Sequence, residues 1–228
     1  VASFGEGGWA ASIEDMQLFY ALLRRRFPGV PHFMLGFSLG SFLLREYLTK
    51  YPEEGGIAGA IIMGTGHQPG WLLTIMQWIV KGQIKKTGFD GTTDLVRQLS
   101  FGTYNQKFKP NRTDADWLCA DEAELDKYLA DPLVRKDISA GLFWELLGCM
   151  KRTGHSFAYG GLPILLISGQ DDPVGNGGKG VQAIYQRMVA GHENVTMKLF
   201  PGARHDLLHE EQNGADAARK LIAEWIKG

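Results

Sequence analysis

Residues 36–41 read Gly-Phe-Ser-Leu-Gly-Ser, so Ser38 stands two places from a glycine on each side. A short apolar run, 32–37, precedes it, and a stretch with helical spacing begins at about 39. A serine at so tight a strand-to-helix turn is held in a strained conformation with its hydroxyl clear of the backbone. Gly36, Phe37 and Gly40 form the elbow, whose small residues let neighbouring backbone pass closely. The helix that follows aims free N–H groups at the hydroxyl, the first being that of Leu39. Such a group suits a nucleophile, but a serine hydroxyl is weak near neutral pH. It needs a base, and the base needs an orienting carboxylate.

Both are on offer further along. "SGQDDPVG" supplies Asp171 and Asp172, and "FPGARHDLLHE" supplies His205 and His209. Each pair follows an apolar run, 163–170 or 195–200, so it falls just past the carboxyl end of an expected strand. Ligands bind there in open α/β sheets. The chain order serine, acid, histidine is that of sheet hydrolases. His32, His67, His155 and His192 have no such place and read as solvated or capping side chains. "HDLLH" also resembles a zinc-binding pair of histidines, with Asp206 where that motif has glutamate. Its first histidine directly follows a strand and a Pro-Gly turn, which argues against a shared helix face.

The elements that must position these residues follow from periodicity. Residues 12–26 carry apolar positions Ile13, Met16, Phe19, Tyr20, Leu22 and Leu23 at helical spacing, with Ser12 as the expected N-cap. Buried strands are expected at 32–37, 57–65, 163–170 and 195–200, and helices at 180–191 and 215–228. Strands that are apolar runs, alternating with helices, predict an α/β fold with a mostly parallel sheet covered on both faces. Residues 67–155 break this rhythm and read as helices. They are expected to form a cap inserted into a core made of 1–66 and 156–228.

Composition narrows the function classes. The 228 residues carry 24 basic and 25 acidic side chains, so bulk charge favours neither nucleic acid nor an anionic membrane. Two cysteines, Cys119 and Cys149, lack a metal-type spacing and read as reduced thiols of a cytoplasmic protein. The longest apolar run, 70–80, is about half of a bilayer span. The Asn111 and Asn194 N-x-T triplets read as chance.

"GFSLGS", "SGQDDPVG" and "FPGARHDLLHE", in this order and spacing, resemble the α/β-hydrolase fold. More narrowly they resemble its monoacylglycerol lipase and lysophospholipase-like branch of bacterial type, and "RTDADWLCADEAELDKYLADPL" is similar to that branch's cap segments. The resemblance implies Ser38 as nucleophile, Asp172 as acid, His205 as base and the Leu39 N–H as one oxyanion donor. It implies an ester substrate, monoacylglycerol or lysophospholipid, and neither metal nor organic cofactor. In the cap, Trp71, Ile75 and Trp78 are expected to form an acyl-chain groove, with transient membrane contact, or else the cap's own small core. Short-chain carboxylesterase activity and a catalytically silent binding protein are the alternatives. The chain opens "VASFGEGGWA", with neither methionine nor strand. The resemblance implies a front half that these residues lack, so a fragment is expected. Its serine strand would lie at a sheet edge, and the second oxyanion donor would lie elsewhere. One such donor is worth about 10²–10³ in rate.

Overall fold

The computed structural model describes residues 1–52, 56–135, 137–154, 159, 161–191 and 194–228. Four parallel strands lie in sequence order: β1 (Phe33–Phe37), β2 (Gly59–Met63), β3 (Ile164–Gly169) and β4 (Val195–Phe200). Helices α1 (Gly8–Arg26), α2 (Leu39–Lys50), α7 (Lys179–Val189) and α8 (Ala215–Lys227) cover the sheet. Between β2 and β3 lie α3 (Gly70–Thr87), the short α4 (Asp94–Arg97), α5 (Glu122–Ala130) and α6 (Ala140–Arg152). No strand falls between β2 and β3 among the described residues.

The two central strands are buried at every position, as runs of "GAIIM" and "ILLISG" require. One face packs on α1, α2 and α7 through Ile62, Leu166, Tyr47 and Ile184, and the other on α8 through Ile61, Leu165, Ile167 and Ala218. The outer strands are less covered, β4 departing from the buried run expected and β1 taking the edge place expected of the serine strand. β4 alternates in burial, and β1 leaves Leu35 46% exposed. Each is an edge strand among the described residues, and an edge strand lacks the neighbour that would cover it.

The first helix also differs from expectation. It starts at Gly8, a full turn before Ser12, whose hydroxyl donates back to the Gly8 carbonyl at 3.3 Å rather than capping the N-terminus. Glu145 of α6 serves that end instead, accepting the Trp9 N–H at 3.0 Å. A carboxylate there meets the positive end of the helix dipole. A second tie runs through Arg45 of α2, which is 1% exposed. It donates to Thr65 Oγ1 (3.2 Å), the Gly66 carbonyl (3.1 Å) and the Thr153 carbonyl (2.8 Å). The helix after Ser38 is thus joined to the end of β2 and the end of α6.

Candidate active site

Ser38 sits between β1 and α2 with φ 52° and ψ −118°, a positive-φ conformation rare for a residue with a side chain. Its N–H donates to the Met63 carbonyl at 3.0 Å, and its carbonyl accepts the Ser41 hydroxyl at 2.6 Å. Gly36 is required by space: a Cβ there would lie 2.4 Å from the Gly40 carbonyl oxygen. Gly40, expected to be small for the same reason, is not required by space, because a Cβ on it would meet nothing within 4 Å. Leu39 is the first residue of α2, so its N–H is one of the helix's free terminal donors.

Ser38 Oγ lies 2.8 Å from His205 Nε2, and His205 Nδ1 lies 2.9 Å from Asp172 Oδ2. A carboxylate only accepts, so Nδ1 carries the proton and Nε2 is left to accept the serine hydroxyl. Asp172 is fully buried, and its other contacts are donors: the Ser168 hydroxyl to Oδ2 at 3.2 Å and the Val174 N–H to Oδ1 at 2.8 Å. These hold the carboxylate against the imidazole. Asp171, its neighbour, points out and pairs with Lys107 at 2.9 Å. The three groups come from the carboxyl ends of β1, β3 and β4. That is where parallel strands converge their following loops. Gly64, at the end of β2, comes against the His205 ring with φ 62°, and a Cβ there would be 3.0 Å from Cε1.

The remaining histidines are elsewhere. His209 bonds Asp206 at 2.9 Å, and that hydrogen bond raises its pKa. His205 and His209 are thus engaged by different carboxylates, and the described residues contain no group of three or more metal-ligating side chains. His67 contacts Arg187, and His32 packs edge-on against Tyr20. His155 and His192 lie outside the described residues. Both cysteines are free and buried, and burial pushes the Cys119 thiol up to about 12.

A cavity of roughly 250 Å³ opens beside Ser38. Its walls are mainly apolar, with Phe42, Leu72, Met76 and Phe143 among them, and Tyr104 adds a hydroxyl. Burial, with the Asp172 carboxylate nearby, pushes the Tyr104 pKa up to about 12, so the group is neutral at pH 7. Trp71, Ile75 and Trp78 are not in this wall. They form the outward stripe of α3, with Trp71 68% and Trp78 80% exposed, and they are not in the buried core that α3 shares with α6 either. Leu73 and Val80 supply that core. Leu72 and Met76, one step round the helix, face the cavity. Within 70–80 only Thr74 and Gln77 are polar, so this stretch alone gives a weak signal for which stripe turns inward, and Lys81 and Lys85 beyond it continue the outward one.

With this geometry in view, comparison with known proteins is informative. The profile of the family described as "Serine aminopeptidase, S33" matches residues 5–212. The chain belongs to this family. Among curated relatives of this S33 chain, a monoacylglycerol lipase of Mycolicibacterium smegmatis is 22% identical over 206 residues. That alignment covers 88% of this chain and 64% of the relative. The human monoglyceride lipase is 25% identical, over 83% of this chain and 55% of its own length. Among solved structures, a thermostable carboxyl esterase of Bacillus coagulans, in complex with glycerol, superposes with a TM-score of 0.85 at 25% identity. It covers 99% of this chain and 73% of that one. The fold is that of the α/β-hydrolases.

In this S33-family chain the segment 111–121 approaches His205 from the β2–β3 connection. Asp116 organises it, accepting the Arg112 N–H at 2.6 Å and the Thr113 N–H at 3.0 Å. Burial alone would raise the Asp116 pKa, but hydrogen bonds from the Thr113 hydroxyl, these two N–H groups and Asn111 outweigh it and hold it low. A depressed carboxyl stabilises the fold above its unfolded value and loses that contribution as pH falls through the folded one. The stability gap between the native chain and Asp116→Asn should therefore hold steady above about pH 4 and shrink below it. Thermal unfolding of both across that range checks this. A gap that instead widened in acid would refute it.

Proposed function

We propose that this chain is a serine hydrolase that cleaves carboxylic esters through an acyl-enzyme on Ser38, with lipid esters of monoacylglycerol or lysophospholipid type as substrates. One observation carries the reading: the Ser38–His205–Asp172 hydrogen-bond line ends at the mouth of an apolar cavity. His205 takes the serine proton as Oγ attacks the ester carbonyl. Asp172 keeps the ring in the required tautomer and stabilises the imidazolium. The Leu39 N–H donates to the developing oxyanion, and the alcohol leaves with the proton from His205. Water, activated by the same imidazole, then releases the acid. None of these steps calls on a metal or organic cofactor.

Lipid esters fit the cavity's chemistry better than a peptide amino terminus, because among the described residues no acidic side chain lines it to receive an ammonium group. The lipases and esterase among the relatives point the same way. In this reading residues 67–155 are the cap and 1–66 with 156–228 the core. The exposed Trp71–Ile75–Trp78 stripe then serves as a transient lipid-surface contact. Helix α3 carries Lys81, Lys85 and Lys86 and no acidic residue, which suits an anionic surface. Sedimentation with phosphatidylglycerol vesicles should fall on Trp78→Ser, and equal binding by both forms would remove the contact.

The function itself is tested with a fluorophosphonate probe and a series of esters of rising chain length. Labelling at Ser38, with turnover rising from acetate toward longer acyl chains, is the expected result. An unlabelled chain would instead be a catalytically silent binding module, and turnover confined to acetate would make it a short-chain carboxylesterase.

A further inference from the structure

His205 is in contact with two aromatic rings, only one of which belongs to the motif. Phe37 has its ring centroid 4.9 Å from that of His205, at 37°, and Trp117 lies at 5.2 Å with an interplanar angle of 38°. Trp117 arrives from a segment 88 residues earlier in the chain, and its placement is built in detail. The residues on either side of His205 bond the residues on either side of Trp117. Arg204 Nη1 donates to the Asp116 carbonyl, and the Asp206 N–H donates to the Leu118 carbonyl at 2.7 Å. Arg204 also donates to the Cys119 carbonyl at 3.2 Å. Glu210, 1% exposed, closes the arrangement, its Oε1 accepting the Ala120 N–H at 2.9 Å and the Arg204 N–H at 3.0 Å. From the other side Asn105 Oδ1 accepts the Trp117 N–H at 2.9 Å, while Phe101 stacks on the indole at 14°.

We propose that Trp117 is a positioning residue for His205, with segment 111–121 serving to press the indole onto the imidazole. This rests on the hydrolase reading above. Two hydrogen bonds fix the imidazole along its own plane, through Nδ1 and Nε2, but leave it free to tilt about the line joining them. The Phe37 and Trp117 rings packed against it restrict that tilt. The indole and phenyl faces also attract the imidazolium that forms as Ser38 attacks, since a ring quadrupole favours a cation over its face. Trp117 lines the acyl cavity as well, so positioning must be separated from a wall role.

Acetate and octanoate esters of p-nitrophenol, tested on the full chain, make the separation. An acetyl group does not reach the depth of the cavity. If Trp117 positions the base, Trp117→Ala lowers kcat on both esters by a similar factor, about tenfold to a hundredfold, with KM for acetate unchanged. Trp117→Phe, which keeps a ring face, restores most of it. Arg204→Met, which loosens the segment from outside the cavity, gives a kcat-selective loss of the same kind and decides the matter if Trp117→Ala does not fold. Loss confined to octanoate, or acetate kcat retained in both Trp117→Ala and Arg204→Met, overturns the proposal. Fluorophosphonate labelling of the unmutated chain is read alongside. If Ser38 is not labelled, the hydrolase reading fails; if it is labelled and the variants behave as wild type, the positioning role alone fails.

Discussion

Ser38→Ala should reduce ester turnover by about 10⁴–10⁶-fold, because removing a nucleophile that acts as a unit with its base forfeits nearly all covalent catalysis. Fluorophosphonate labelling should vanish with it. The fold should survive, since among the described residues Oγ bonds only His205, and the backbone bonds of Ser38, to Met63 and Ser41, do not involve it. Ser38→Gly separates chemistry from strain. At φ 52° and ψ −118° a serine is strained and a glycine is not. The glycine variant should therefore be equally inactive and more stable, by about 1 kcal/mol or somewhat more. Ester hydrolysis and thermal unfolding of the three forms read out both effects. Turnover retained by Ser38→Ala would remove this serine from the mechanism.

Arg45→Met should cause the largest loss of stability among single substitutions outside the site. Methionine fills similar volume but leaves the Gly66 and Thr153 carbonyls and the Thr65 hydroxyl without their donor. Each buried group so stranded costs about 1–3 kcal/mol. Against this stands the cost of holding a guanidinium away from water, which is why burial lowers the Arg45 pKa, opposed by Tyr159 and Cys149. A net loss of about 3 kcal/mol, or roughly 10 °C in the unfolding midpoint for a chain this long, is expected. A midpoint unchanged in Arg45→Met would show that desolvation cancels the three hydrogen bonds. The charge would then be neutral for stability.

Ser38, Asp172 and His205 are legible in the sequence because their signals are local. The elbow is a spacing of glycines around a serine, and the acid and base follow apolar runs that are strands by length and composition. What the sequence left between Asp171 and Asp172 without the resemblance is decided by direction. Successive residues after β3 point opposite ways, one inward to His205 and one outward to Lys107. The helix start at Gly8 is not legible in the sequence because the carboxylate that serves it, on Glu145, is 136 residues from Trp9.

By itself the sequence determined the α/β class, the order of strands and helices, and which residue types could act as nucleophile, acid and base. These depend on periodicities within a few residues and on the rule that parallel strands gather their following loops at one end. Only the tertiary structure decided which stripe of α3 walls the cavity, how far β1 is covered, and that Trp117 lies on His205. A stretch as apolar as 70–80 has little preferred phase of its own until something packs on it. The pairing of 116 and 118 with 204 and 206 is a register between distant segments, set by contacts that no local pattern encodes.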